Sequence, residues 1–331
     1  MTGQTLDPAR GVLPAATPLN RRYDADRLAA EIRALRASPW RSQRSIGQDG
    51  MIRESTVDWT ILPLRSPGGD PARTDAGGAG PVEHAATPHL ARAPYVAEIL
   101  RGFPTQLLGV RLMALGPGAR VREHRDGKFG MPWGLVRLHV PVITNPEAYV
   151  VIGGERFHWD AGRLWFGDFD RPHHVGNSGA EARVHLVLDC LVSRALLELF
   201  PDHVGDGLAD RGVVLAREPV PLSAAELRAL RCRFAMPARF AEWSEEEPVA
   251  GPAETVPAEL TVDDRHGPVL NVSGAPAFGL VHVGSGEFRL AGWSEERTLQ
   301  PELTAAEPCV RFRVRKAGAV SESAVPAQPV R

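Results

Sequence analysis

From Leu107 onward the chain alternates apolar and polar residues in short runs that read as strands: LLGVRLMAL, VREHRD, GLVRLHVPVI, AYVVIGG, ERFHWD, RLWFGD, RPHHVGN and ARVHLVLDCLV. They recur about every ten residues, separated by the turn signals GPG, TNP, GG, DAG and NSG. Short strands at that spacing predict an antiparallel sandwich or barrel. The expected fold is therefore mainly β, a double-stranded β-helix of the jelly-roll or cupin-like kind, with its core over about 105–192. Upstream the period changes. Leu28, Ile32 and Leu35 fall on one stripe of Asp24–Ala37, an amphipathic helix that Pro39 stops. Pro94–Phe103 places Val96, Ile99 and Leu100 behind an N-terminal proline, the pattern of a second helix. Val57–Leu64 reads as a strand, and the Gly/Pro/Asp-rich 66–81 as a long loop, either a lid or a tolerated surface insertion.

Downstream of the core, Ser193–Phe200 reads as a short capped helix, and Ser223 with Glu226 forms a capping box ahead of another. Acidic, proline-rich 242–257 reads as a linker. VLNV, AFGLVHV, EFRL and CVRFRVR then read as strands. The expected organisation is a disordered leader over 1–20, a catalytic domain over 21–200 and a helical and linker segment over 201–257. A small β-rich module over 258–316 and a disordered tail over 317–331 complete it.

Composition narrows the function. A formal net charge of −2 leaves no basic footprint for nucleic acid. Glycine (33) and proline (29) are both enriched, in keeping with many turns. The three cysteines, Cys190, Cys232 and Cys309, are odd in number, far apart and without a C-x-x-C. They argue against a disulfide framework or thiolate zinc site and fit a reducing, cytoplasmic setting. The first residues lack a basic stretch followed by an apolar run, and no window is apolar enough to span a bilayer, so neither a secretory signal nor a membrane partner is expected.

The chemistry concentrates between Gly116 and Cys190. His124 and Asp126 lie two apart, so on an extended segment their side chains leave the same face. A second imidazole, His173 or His174, would complete a two-histidine, one-carboxylate face with open positions, the ligand set of a non-haem Fe(II) oxygenase. Neighbours on a strand point to opposite faces, so only one of the two can serve. Arg183 sits inside an apolar segment, where an unpaired charge would be costly. Its planar fork suits a carboxylate such as the distal one of 2-oxoglutarate. Arg125 is either a solvated charge or a partner for a substrate carboxylate. Trp133 is either packing or a roof over the pocket.

The run RLHVPVITNP, then W-x-x-G-x-x-W-F-x-D, then H-x-V-x-N-x(5)-R-x-x-L-V-x-D resembles the aspartyl/asparaginyl β-hydroxylase family, which includes bacterial proline hydroxylases. The resemblance covers about Asp58–Asp189. It implies a double-stranded β-helix enzyme using Fe(II), 2-oxoglutarate as co-substrate and O2. Its spacing to Asn177 and Arg183 selects His173 over His174, giving His124, Asp126 and His173 as metal ligands. It places Arg183 on the far carboxylate of 2-oxoglutarate, and His139 with Arg137 as the polar pair that also contacts the co-substrate. The expected activity is hydroxylation of an unactivated C–H bond in an amino acid, free or as an Asp/Asn-type residue of a peptide. Alternatives are a cupin-type metalloprotein without oxygenase activity, an isomerase or ligand sensor, and a tailoring hydroxylase whose C-terminal part binds a peptide or carrier protein.

Overall fold

The computed structural model describes residues 13–36, 39–46, 52–210, 212–241, 254–263 and 267–330 of the 331. The chain forms two compact units. The first comprises the described residues up to Ala76 together with those of His84–Val213. The second comprises Gly77–Glu83 and the described residues from Val214 onward.

Ten strands frame the first unit: β1 (Ala16–Arg22), β2 (Trp59–Pro67), β3 (Leu107–Leu115), β4 (Arg120–His124), β5 (Leu135–Ile143), β6 (Ala148–Ile152), β7 (Glu155–Phe157), β8 (Arg163–Gly167), β9 (His173–Asn177) and β10 (Arg183–Leu191). The eight-stranded sheet runs β1-β8-β5-β10-β3-β2, continues into Arg41–Ser42, and has His84–Ala86 beside β2. A four-stranded sheet runs β7-β6-β9-β4. Every pairing is antiparallel. This is a double-stranded β-helix core, as the turn-punctuated alternation predicts. Leu115 of the large sheet meets Val150, Ile152 and Val175 of the small one, with Trp159 and Phe169, in a single apolar cluster. Period-two alternation explains the selection: Val150 and Ile152 are buried while Val151 between them is partly exposed.

β10 is central, hydrogen-bonded to β5 on one side and β3 on the other, and all nine of its residues are buried. That is why its sequence reads as a near-continuous apolar run. Helix α1 (Ala25–Leu35) buries Leu28, Ile32 and Leu35, and Asp24 caps it by accepting from the Arg27 amide at 2.9 Å. Helix α2 (Pro94–Arg101) buries Tyr95, Val96 and Ile99. Both helices fall on the predicted stretches. The leader does not: residues 1–12 lie outside the described residues, but Ala16–Arg22 is an edge strand paired with β8. Its alternation is too short to announce itself, and its place is set by the exposed edge of β8.

The second unit is a closed eight-stranded barrel. Its strands are Cys232–Pro237, Thr255–Asp263, Gly267–Val272, Ala275–His282, Phe288–Leu290, Arg297–Glu302, Cys309–Lys316 and Ala319–Pro329, each paired with the next. The last strand returns to the first through Phe234 opposite Ala327 and Cys232 opposite Pro329. Phe234, Phe240 and Phe312 pack together inside. Two expectations are corrected here. The stretch taken as a tail, 317–331, holds the longest strand of the barrel, Ala319–Pro329. Likewise, the stretch taken as helix and linker holds the strand Cys232–Pro237 as well as the capping-box helix Ala224–Ala229. The final strand has few apolar residues and two prolines, so it resembles a tail; backbone pairing on both sides defines it. Most of the expected linker, 242–253, lies outside the described residues.

The Gly/Pro-rich loop is neither lid nor free insertion. Gly80 accepts from the Gly279 amide at 2.9 Å and donates to Ala291 at 3.1 Å, and Glu83 pairs with buried Arg289 at 2.8 Å. Gly279 is required there, since a Cβ on it would lie 2.6 Å from the Pro81 carbonyl oxygen.

Candidate functional site

His124 ends β4 and His173 begins β9, and the two are direct cross-strand partners in the small sheet. Their rings lie 4.3 Å apart between centroids. Asp126 follows β4, its amide fixed to the Phe169 carbonyl at 2.9 Å. Its carboxylate reaches both rings, with Oδ1 at 3.7 Å from His124 Nε2 and Oδ2 at 4.0 Å from His173 Nε2. One donor atom from each of the three residues lies within 4.8 Å of the others. In each histidine, Nδ1 lies 2.9 Å from the backbone carbonyl two residues earlier, Arg122 for His124 and Arg171 for His173. Those carbonyls hold the proton on Nδ1, leaving the Nε2 lone pairs free beside the carboxylate. Burial, opposed by nearby Asp126, lowers the pKa of His173 and favours the neutral ring a metal needs. His174 points the other way, toward Glu123 and the Tyr149 ring.

Arg183 opens β10, 3% exposed. It makes no hydrogen bond or ion pair to a described residue, and its Nε is buried and unsatisfied. Burial alone lowers its pKa to about 10. With His185, Trp159, Tyr149 and Thr144 it lines a small cavity. A buried guanidinium without an anion is costly, and a ligand carboxylate is the natural complement.

His139 lies on β5, flanked by Trp159 and Phe169, with Nδ1 3.2 Å from Nδ1 of His185. Its Nε2 is buried without a partner. Burial, reinforced by the Arg183 charge, pushes both histidines well below the usual imidazole pKa, so one neutral ring donates to the other. The sign of the pH effect follows. The unfolded chain takes up protons as pH falls below about 6.5 while these rings stay neutral, so each costs about 1.4 kcal/mol of stability per pH unit until its own depressed pKa is reached. Thermal unfolding of the metal-free chain between pH 7.5 and 5 is expected to show this loss, and His185→Phe to reduce its slope. An unchanged slope would mean that His185 is already protonated in the fold.

Arg137, expected beside the co-substrate, is engaged by two carboxylates of the chain. Its Nε and Nη2 donate to the two Asp189 oxygens at 2.7 and 3.1 Å, and its Nη1 donates to Asp126. Arg125 is likewise engaged, donating to the Asp170 carbonyl at 2.6 Å and carboxylate at 2.7 Å, rather than standing ready for a substrate carboxylate. Trp133 is buried in the turn Met131–Trp133, with the Lys128 ammonium 5.1 Å from its ring, which is packing rather than a roof. Sequence reasoning missed Arg111, which donates to Asp189 at 2.6 Å. The signal was there, since Arg111 is a charge inside an apolar strand just as Arg183 is, but its partner is visible only once β3 and β10 are known to be adjacent.

The double-stranded β-helix brings two histidines and one carboxylate together and buries an arginine that is unpaired among the described residues. Residues 23–192, more than half of the chain, match the family model for aspartyl/asparaginyl beta-hydroxylase. The chain belongs to that family and is a hydroxylase of the 2-oxoglutarate-dependent dioxygenase class. Among solved structures it is similar to a 2OG-Fe(II) oxygenase family oxidoreductase from Burkholderia pseudomallei, with 14% identity over 57% of this chain and 90% of that one and a TM-score of 0.36. It is also similar to a prolyl hydroxylase from Trichoplax adhaerens, in complex with a hypoxia inducible factor peptide fragment, with 12% identity over 56% and 87% and a TM-score of 0.36. A prolyl-4-hydroxylase from Pseudomonas putida is similar at 14% identity over 56% and 98%, with a TM-score of 0.32. Among the described residues no helix is long and apolar enough to cross a membrane.

Proposed function

We propose that this hydroxylase binds Fe(II) through His124, Asp126 and His173 and takes 2-oxoglutarate with its distal carboxylate on Arg183. It then hydroxylates an unactivated C–H bond of an amino acid, free or as an Asp/Asn-type residue in a peptide. The observation that carries the reading is the convergence of three donor groups within 4.8 Å. Two of them are imidazoles whose tautomer backbone carbonyls already fix. The donor set fits the metal: two neutral nitrogens and one carboxylate on one face leave positions open. When bound, iron with O2 and 2-oxoglutarate supplies the oxidising chemistry, which the side chains do not.

The protein's own contribution is placement and exclusion of water. Arg183, already desolvated, would give two parallel N–H bonds to the distal carboxylate and orient the keto acid toward the histidine face. His139 Nε2, buried and without a partner among the described residues, lies on a ring flanked by Trp159 and Phe169 and would meet one polar atom of the co-substrate. Trp159 stacks against Trp165 at 5.6 Å, making an apolar wall behind it. A turnover screen of amino acids and short peptides with Fe(II) and 2-oxoglutarate tests the reading. The expected result is succinate release matched by a gain of one oxygen on one substrate class. A full screen without succinate would sink it.

A further inference from the structure

An alternating row of charges runs inward from Asp126: half-buried Asp126 and Arg137, then buried Asp189 and Arg111. Asp189 sits on central β10 directly opposite Arg137 on β5, while Arg111 reaches it from β3 on the other side. Asp189 is 1% exposed and Arg111 3%. Burial pushes the Asp189 carboxyl upward, but the two guanidinium groups outweigh it and hold the pKa at about 2. Arg137 is gripped by both Asp189 oxygens, and its guanidinium lies 4.3 Å from the centre of the Phe129 ring. Gly109 leaves the room: a Cβ there would lie 3.2 Å from Arg111 Nη1 and 3.4 Å from Asp189 Oδ2.

We propose that Asp189 and Arg111 are positioning residues for the metal site, acting through Arg137 to fix the Asp126 carboxylate with one oxygen toward His124. The inference rests on the assignment of His124, Asp126 and His173 as metal ligands. A carboxylate on a short side chain has rotational freedom that two imidazoles 3.7 and 4.0 Å away do not remove. Arg137 removes it by taking one oxygen, and Asp189 removes the much larger freedom of the arginine itself. The grip is bidentate and buried, the geometry in which an arginine fork is most directional. Without Asp189, Arg137 and Arg111 would be two like charges facing each other in a dry interior. Arg137 could then satisfy itself only by pulling Asp126 toward β10 and away from the histidines. Groups that orient metal ligands are typically worth 10- to 100-fold in metal affinity.

The test is anaerobic titration of the metal-free full chain with Co(II), read by its visible absorption, in the wild type and four variants. Asp189→Asn is expected to weaken Co(II) binding 10- to 100-fold and to lower thermal stability. Asp189→Asn with Arg111→Met removes the stranded cation, so stability is expected to recover while affinity stays low. That split separates positioning from a merely structural role. Gly109→Ala keeps every charged group, crowds the Arg111–Asp189 contact as well as the Ala76 carbonyl oxygen 3.2 Å from the new Cβ, and is expected to give a smaller loss in the same direction. Co(II) affinity within threefold of wild type in the folded double variant and in Gly109→Ala would overturn the proposal. A wild type whose Co(II) spectrum is insensitive to His173→Ala would instead overturn the ligand assignment on which it stands.

Discussion

Exchange of Asp126 for alanine is expected to leave no measurable hydroxylation and to weaken metal binding by more than 100-fold. Loss of a group that merely orients a ligand already costs 10- to 100-fold, and here the anionic ligand itself is removed. His124 and His173 keep their tautomers, because their Nδ1 partners are carbonyls that the substitution does not touch. Arg137 keeps both bonds to Asp189, so the chain is expected to fold and the defect to be local. Co(II) titration beside single-turnover mass spectrometry checks this. Wild-type metal affinity in Asp126→Ala would remove the carboxylate from the ligand set.

Arg183→Met carries two expected effects of opposite sign. The 2-oxoglutarate requirement rises by about 30- to 5,000-fold, since truncating one partner of a buried charge pair costs about 2–5 kcal/mol. The ligand-free chain, however, becomes more stable by about 1–3 kcal/mol, because an unsatisfied buried guanidinium gives way to an apolar side chain of similar length. Burial is what depresses its pKa, with no compensating anion among the described residues. Adding 2-oxoglutarate should stabilise the wild type and leave Arg183→Met unchanged, which thermal shifts measure directly. A variant less stable than wild type without ligand would show that Arg183 has a structural partner.

How much of this was legible in the sequence depends on whether the partners are close along the chain. The core strands β3, β5 and β10 are legible as mainly apolar runs bounded by turn signals, because nearly every residue of all three is buried. His124 and Asp126 are legible because they lie two apart on one segment. Arg183 was legible because an arginine in an apolar run demands an anion. The bonds of Arg137 to Asp189 on the adjacent strand and to Asp126 eleven residues back were not legible, because these partners meet only through sheet order. Ala319–Pro329 was misread for a related reason, since its stability lies in the backbones of Cys309–Lys316 and Cys232–Pro237, not in its own side chains.

The contribution of Gly77–Glu83 to the barrel has a practical meaning for dissecting the chain. Glu83 and Arg289 pair across 206 positions, and the Gly80 backbone bridges Gly279 and Ala291. The barrel therefore draws on a segment that the sequence places inside the catalytic unit, between Ala76 and His84. No single cut releases both units whole. A fragment beginning after Val213 would carry all eight barrel strands yet leave the Arg289 guanidinium and the backbone groups of Gly279, Ala291 and Gly292 without these partners. Independent folding of that fragment would require the excised heptapeptide to be supplied in trans or grafted on.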